Sequence, residues 1–211
     1  MRRLLFLLIL GGMILSPLPA LEGLEGQLGW LWYGNGEEAP ETPSPLVASL
    51  GLAVSFPLGE NLFFYPDLTF SLIDYYWRAD QARAVPAEIA TADRMTVLHL
   101  LLNPSLVYLI DLNPRISLGG RFSPSFLFRI PLYGYDQGEE TRDEMVSYFY
   151  GQGRFLYPSL GPELRWRYSE KVVCRIYAQL LWPLHNAWDG EAVPAWDQMM
   201  ITGGLGLLVR F

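Results

Sequence analysis

Apolar and polar residues alternate at every second position over most of this chain. From Arg115 to Ile130 one parity reads Arg115, Ser117, Gly119, Arg121, Ser123, Ser125, Leu127 and Arg129, and the other Ile116, Leu118, Gly120, Phe122, Pro124, Phe126, Phe128 and Ile130. Successive side chains of a strand point to opposite faces, so a period of two makes a sheet with one oily and one polar face, whereas helical spacing would mix the two sets. The same split separates Leu46, Ala48, Leu50, Leu52, Val54 and Phe56 from Ser49, Gly51 and Ser55. It also separates Val172, Cys174, Ile176, Ala178, Leu180, Trp182 and Leu184 from Arg175, Tyr177 and Gln179.

Eight segments carry this pattern, at 24–33, 46–57, 62–77, 95–110, 115–131, 154–168, 171–184 and 198–211. Their connections alternate in length. Those at 58–61, 111–114 and 169–170 are tight and rich in turn-forming residues, whereas 34–45, 78–94, 132–153 and 185–197 are long and charged. An even strand count with short turns at one end, long loops at the other and both chain ends on the short-turn side predicts an all-β, eight-stranded antiparallel up-and-down transmembrane barrel. The segments run from 10 to 17 residues, enough for a tilted strand to cross a bilayer.

Ahead of the strands, Met1, Arg2 and Arg3 are followed by an apolar run from Leu4 to Leu15 and by Ser16-Pro17-Leu18-Pro19-Ala20. This is the layout of a secretory signal peptide cut after Ala20, which leaves 21–211 as the barrel domain. Removing Arg2 and Arg3 from the 15 basic residues, against 22 acidic ones, gives the mature chain a net charge of −9, which disfavours nucleic acid as a partner. At 51% hydrophobic the chain is not disordered, and beyond Leu18 no apolar run is long enough for a membrane helix. The single cysteine, Cys174, permits no internal disulfide and no thiolate cluster.

Aromatic residues gather at the long-loop ends of the segments: Trp30, Trp32 and Tyr33; Tyr75, Tyr76 and Trp77; Tyr133 and Tyr135; Tyr148, Phe149 and Tyr150; Trp182. They are expected to form an interfacial girdle. The chain closes on an alternating strand, Leu205, Leu207 and Val209 leading to a terminal Phe211. With the signal peptide and the eight segments, this resembles the small eight-stranded outer-membrane barrels of the OmpA-barrel, OmpX and OmpW type. The resemblance spans the mature chain and is architectural. It implies an integral outer-membrane, Gram-negative-type location and outer-membrane lipid as surroundings. It also implies barrel-assembly machinery that reads Phe211, periplasmic chaperones during biogenesis, and a monomer.

On the polar face the alternation places Arg115, Arg121, Arg129, Arg165, Arg167, Arg175 and Arg210 with Glu25, Asp67 and Glu163, and with His99, Asn103 and Gln27. The planar guanidinium fork suits the holding of several carboxylates in a confined space, so a structural ion-paired plug is the first expectation and a narrow anion passage the second. Pro66, Pro104, Pro124, Pro158 and Pro162 fall inside strands on the oily face, where each removes a ladder hydrogen bond. Bulges or strand breaks are expected there. The long loops hold 14 acidic residues, among them Glu37, Glu38, Asp80, Glu139, Glu140, Asp143 and Glu144, and are expected to make a solvated, repulsive surface without calcium-loop spacing.

No cofactor or metal is expected, and no catalytic residue. His99 and His185 stand without the serine and acid pattern of the barrel enzymes that modify lipid, and Gly203-Gly204-Leu205-Gly206 lies within a strand, where small residues accommodate packing rather than phosphate. The expected function is a non-enzymatic outer-membrane barrel with a structural or surface-interaction role. Alternatives are passage of small hydrophobic or anionic solutes, as the OmpW resemblance implies for apolar compounds, and a soluble periplasmic lipocalin-like binder.

Overall fold

A computed structural model of the chain describes residues 20–35, 44–87, 94–134, 139–188 and 195–211. Residues 1–19 of the expected signal peptide lie outside them, as do Tyr135 of the expected girdle and the loop residues Glu37, Glu38, Glu41, Glu88, Asp93, Asp136, Asp189 and Glu191. In chain order the elements are β1 (Gly23–Tyr33), β2 (Leu46–Pro57), β3 (Leu62–Arg78), β4 (Arg83–Ala87), β5 (Arg94–Asn113), β6 (Ile116–Gly134), α1 (Glu139–Tyr150), β7 (Leu156–Arg167), β8 (Val172–Leu181) and β9 (Met200–Arg210).

Every pairing is antiparallel and eight of the strands close on themselves. β1 pairs with β2 on one side and β9 on the other, and β2 pairs with β3, which completes the ring. The ninth strand, β4, folds back along the loop-side end of β3, from Asp74–Ala87 to Arg78–Arg83. The expected segments are all present, but 78–94 and 132–153 are not plain loops: the first holds β4 and the second holds α1. Two of the tight turns are fixed by side chains. Asn113 Oδ1 accepts from the backbone N–H groups of Arg115 and Ile116, both at 2.9 Å, and Ser169 Oγ accepts from Lys171 and Val172.

The outer wall is apolar. Leu28, Leu50 and Leu205 stand side by side on β1, β2 and β9, each more than 60% exposed. On β3 the outward set runs Leu62, Phe64, Pro66, Leu68, Phe70 and Leu72 before the first charge, Asp74. At ~3.3 Å per residue and a tilt of roughly 40° that band is about 25 Å tall, the height of the apolar belt of a membrane barrel.

The prolines sit differently from expectation. Pro66 pairs with Pro104 and Pro124 with Pro158, and the β5–β6 register carries Pro104 opposite Pro124. Four prolines thus form one row across β3, β5, β6 and β7. The expected bulges are absent from these positions: the register is the same on both sides of each proline, and the β5–β6 shifts lie at Thr96/Val97 and Asp111/Asn113. Each strand residue turns both backbone groups toward one neighbour, so adjacent prolines share seams alternately. The ladder lapses between Ala53–Asp67 and Phe56–Phe64, between Leu102–Phe126 and Leu106–Phe122, and between Leu160–Leu180 and Glu163–Tyr177. Pro158 keeps its acceptor role toward β8, taking the Trp182 N–H at 2.9 Å.

Candidate functional site

The interior is layered. Toward the short turns, three guanidiniums meet three carboxylates. Arg175 Nη2 lies 2.5 Å from Glu25 Oε1, and its Nη1 lies 3.2 Å from Glu163 Oε2. Arg165 Nε lies 2.7 Å from Glu163 Oε1, and Arg121 Nη2 lies 2.5 Å from Asp67 Oδ2 and donates to Ser105 Oγ at 2.7 Å. Asn103 Nδ2 donates to the other Asp67 oxygen at 2.7 Å. These groups come from β1, β3, β5, β6, β7 and β8, so the layer crosses the barrel from wall to wall. All are buried. Pairing of this kind is what permits charge in a confined interior, because an unpaired ion there would be strongly destabilising.

Two tyrosines complete the layer: Tyr177, which shares the inward parity of Arg175, and Tyr65, which polarity counting passes over. Tyr65 donates its hydroxyl to Glu25 Oε2, and Tyr177 donates to Gln27 Oε1 at 3.1 Å. Their rings carry the cations: Arg175 lies 4.1 Å from the Tyr177 centroid and 4.9 Å from that of Tyr65, and Arg165 lies 4.9 Å from Tyr65. The signal for both was parity, since Tyr65 is two residues from Asp67 and Tyr177 two from Arg175.

Not every expected member joins. Arg115 is exposed in the β5–β6 turn, Arg167 donates to Pro114 O at 3.0 Å at the rim, and Arg210 pairs with Glu22 at 2.8 Å. These three lie at strand ends, where the interior opens to the turn side. Arg129 is inward but far up the barrel, donating to Tyr33 Oη at 3.0 Å, Tyr157 Oη at 2.8 Å and Arg154 O at 3.0 Å, and not to a carboxylate. His99 is buried and bonds Tyr75 Oη at 2.9 Å rather than Asn103 or Ser105. His185 bonds Gln198 Oε1 at 2.5 Å.

At the loop end the interior becomes apolar. Leu31, Ile73, Met95, Val97, Leu101, Leu127, Leu181 and Met200 pack with Tyr33, Tyr75 and Tyr157 and with Met145 and Phe149 of α1. Helix α1 therefore closes the loop-side mouth. The expected girdle is corrected accordingly: Tyr33, Tyr75 and Phe149 point inward and form this core, while Trp30, Trp182 and Tyr150 face outward. Arg129 lies 5.3 Å from the Phe149 ring centroid, which ties the helix to the wall.

Among the described residues no three His, Cys, Asp or Glu side chains come together as a metal site. Of the loop acids, Asp80 is tied to Arg78 at 2.8 Å, and that bond holds its carboxyl below the ordinary value. Cys174 is a free, half-buried thiol on the outer wall.

No protein-family model matches the sequence, and no curated protein sequence matches it significantly. Solved structures do resemble the fold. Neisserial surface protein A superposes with a TM-score of 0.52 at 11% identity, covering 90% of this chain and 96% of its own. Ail, the attachment invasion locus protein of Yersinia pestis, solved with the heparin analogue sucrose octasulfate, gives 0.47 at 9% identity over 92% and 99%. A de novo designed transmembrane β-barrel gives 0.38 at 9% identity over 92% and 100%. The chain has the fold of an integral eight-stranded barrel of the outer-membrane type.

Proposed function

We propose that this chain is a non-enzymatic integral outer-membrane barrel whose role is to support the membrane and to present its loop-side surface to molecules outside it. The observation that carries this reading is the filled interior: an ion-paired layer across the barrel, with an apolar core that includes α1 above it. Among the described residues, the inward side chains of both layers are engaged with one another rather than arranged around a reacting group. His99 serves a tyrosine hydroxyl and Arg129 serves three oxygens of the wall. Reconstitution in planar bilayers tests the reading against a conducting pore: it expects no discrete conductance, and reproducible channel steps would overturn it. Changing His99 or His185 to Ala is expected to leave lipid A unaltered by mass spectrometry.

A second reading, lateral exchange of an apolar compound through the wall, is favoured by the β2–β3 seam. Its ladder stops at Ser49–Ser71, and a groove of about 800 Å³ lies beside this stop, lined by Leu28, Val47, Leu50, Phe70, Leu72 and Leu98. A disulfide joining A48C to L72C across that seam, in a chain with Cys174 replaced by Ser, would block uptake on this reading and leave the first reading untouched.

A further inference from the structure

At the turn-side end, opposite the surface just discussed, the ionic layer leaves donors unanswered. Arg165 uses Nε on Glu163, but its Nη1 and Nη2 are buried and bond no acceptor among the described residues. The guanidinium is held between rings, 5.0 Å from the Phe63 centroid and 4.9 Å from that of Tyr65. Arg165 lines a small, partly open cavity of about 60 Å³ together with Arg167, Arg210, Asp111, Glu60 and Ser117. The Nε of Arg210 is likewise buried without a partner.

We propose that this cavity binds a single carboxylate group. Buried guanidinium N–H groups left without acceptors are costly, and three arginines offer only donors, in the fork geometry that matches two oxygens on one atom. The acceptors in the wall are engaged or peripheral. Asp111 Oδ1 takes the Ser117 hydroxyl at 2.5 Å, and Glu60 sits on the exposed β2–β3 turn. Charge sets the class of ligand. Arg121, Arg165 and Arg175 are already balanced by Glu25, Asp67 and Glu163, and Glu22 balances Arg210. Arg167 is left facing Asp111 and Glu60, and this surplus of acid repels a dianion such as sulfate more than a singly charged carboxylate, whose binding rests on the unanswered fork of donors. The volume admits the carboxylate with a short carbon stem or, in its place, a few waters.

The test is isothermal titration of the full mature barrel in uncharged detergent micelles, with sodium acetate, sodium sulfate and a tripeptide carrying a free or amidated carboxyl terminus, at matched ionic strength. Saturable, one-to-one acetate binding is expected, with sulfate weaker. Arg167→Gln and Arg210→Gln each weaken it about tenfold, the loss of one charge-assisted bond, and Arg165→Lys removes it because the fork is lost. Unchanged mobility of the unboiled variants on a gel shows that the barrel is intact. Tripeptide binding that needs the free carboxylate assigns the ligand to a chain end, and binding of acetate alone assigns it to a small free acid. Absence of saturable binding by either, or equal binding by wild type and the three variants, overturns the proposal.

Discussion

Arg175 on β8 reaches across β9 to Glu25 on β1, its Nε 2.9 Å and its Nη2 2.5 Å from the same carboxylate oxygen. The strand between them carries Gly206, where a Cβ would run into the Glu25 carboxylate. The glycine of β9 is thus a clearance for the ion pair above it, which gives Gly206 a packing role rather than a ligand-binding one. Arg175→Met leaves two carboxylates short of a partner and is expected to destabilise the barrel by about 3–5 kcal/mol. The double variant Arg175→Met, Glu25→Gln should recover part of that loss. Urea unfolding in lipid vesicles measures both, and a single variant as stable as wild type would contradict the pairing.

Phe149 fixes α1 in the loop-side mouth, packed edge-on to Tyr75 at 5.1 Å and under Arg129. Phe149→Ala is expected to free the helix at a local cost of about 3–5 kcal/mol. Hydrogen exchange should show lost protection over Glu139–Tyr150 with the barrel strands unchanged. Loss of protection throughout the barrel would mean that the helix holds the wall itself.

Pro104 and Pro124 face each other across the β5–β6 seam, and neither can donate. Pro104→Val supplies an N–H to the facing carbonyl. A net hydrogen bond contributes about 0.5–1.5 kcal/mol in water and more where hydrocarbon replaces water, against a smaller loss of chain stiffness in the unfolded state. The variant should unfold at higher urea than wild type. A lower midpoint would show that the proline row relieves strain that the register does not reveal.

Leu205 lies midway along the outward set of β9, between Ile201 and Val209, while Leu112 lies at the turn-side end of β5. Arginine at the first is expected to cost about 2–4 kcal/mol and at the second about 0–1 kcal/mol. Equal costs at both positions would mean that the wall does not face a bilayer.

The strands were legible in the sequence because a period of two survives even where prolines interrupt it, and register is preserved through every one of them. The inward parity also placed Glu25, Asp67, Arg121, Glu163, Arg165 and Arg175 together. Parity alone does not give height along the barrel, so Arg129 stood in the same set as the carboxylates although it bonds tyrosines near the mouth. The same blindness put Tyr33 and Tyr75 in a girdle: their parity is inward, but clustering with tryptophans hid it. Helix α1 was missed because its buried pair, Met145 and Phe149, four residues apart, stands among Val146, Tyr148 and Tyr150, which blur a helical period at the end of an acidic stretch.

Envelope fractionation combined with heat-modifiable gel migration decides whether this chain lives as a barrel in the outer membrane. The protein is expected to sediment with outer membranes, resist urea extraction, and run faster unboiled than boiled. Recovery in the soluble periplasmic fraction without detergent, with the same mobility before and after boiling, would contradict it.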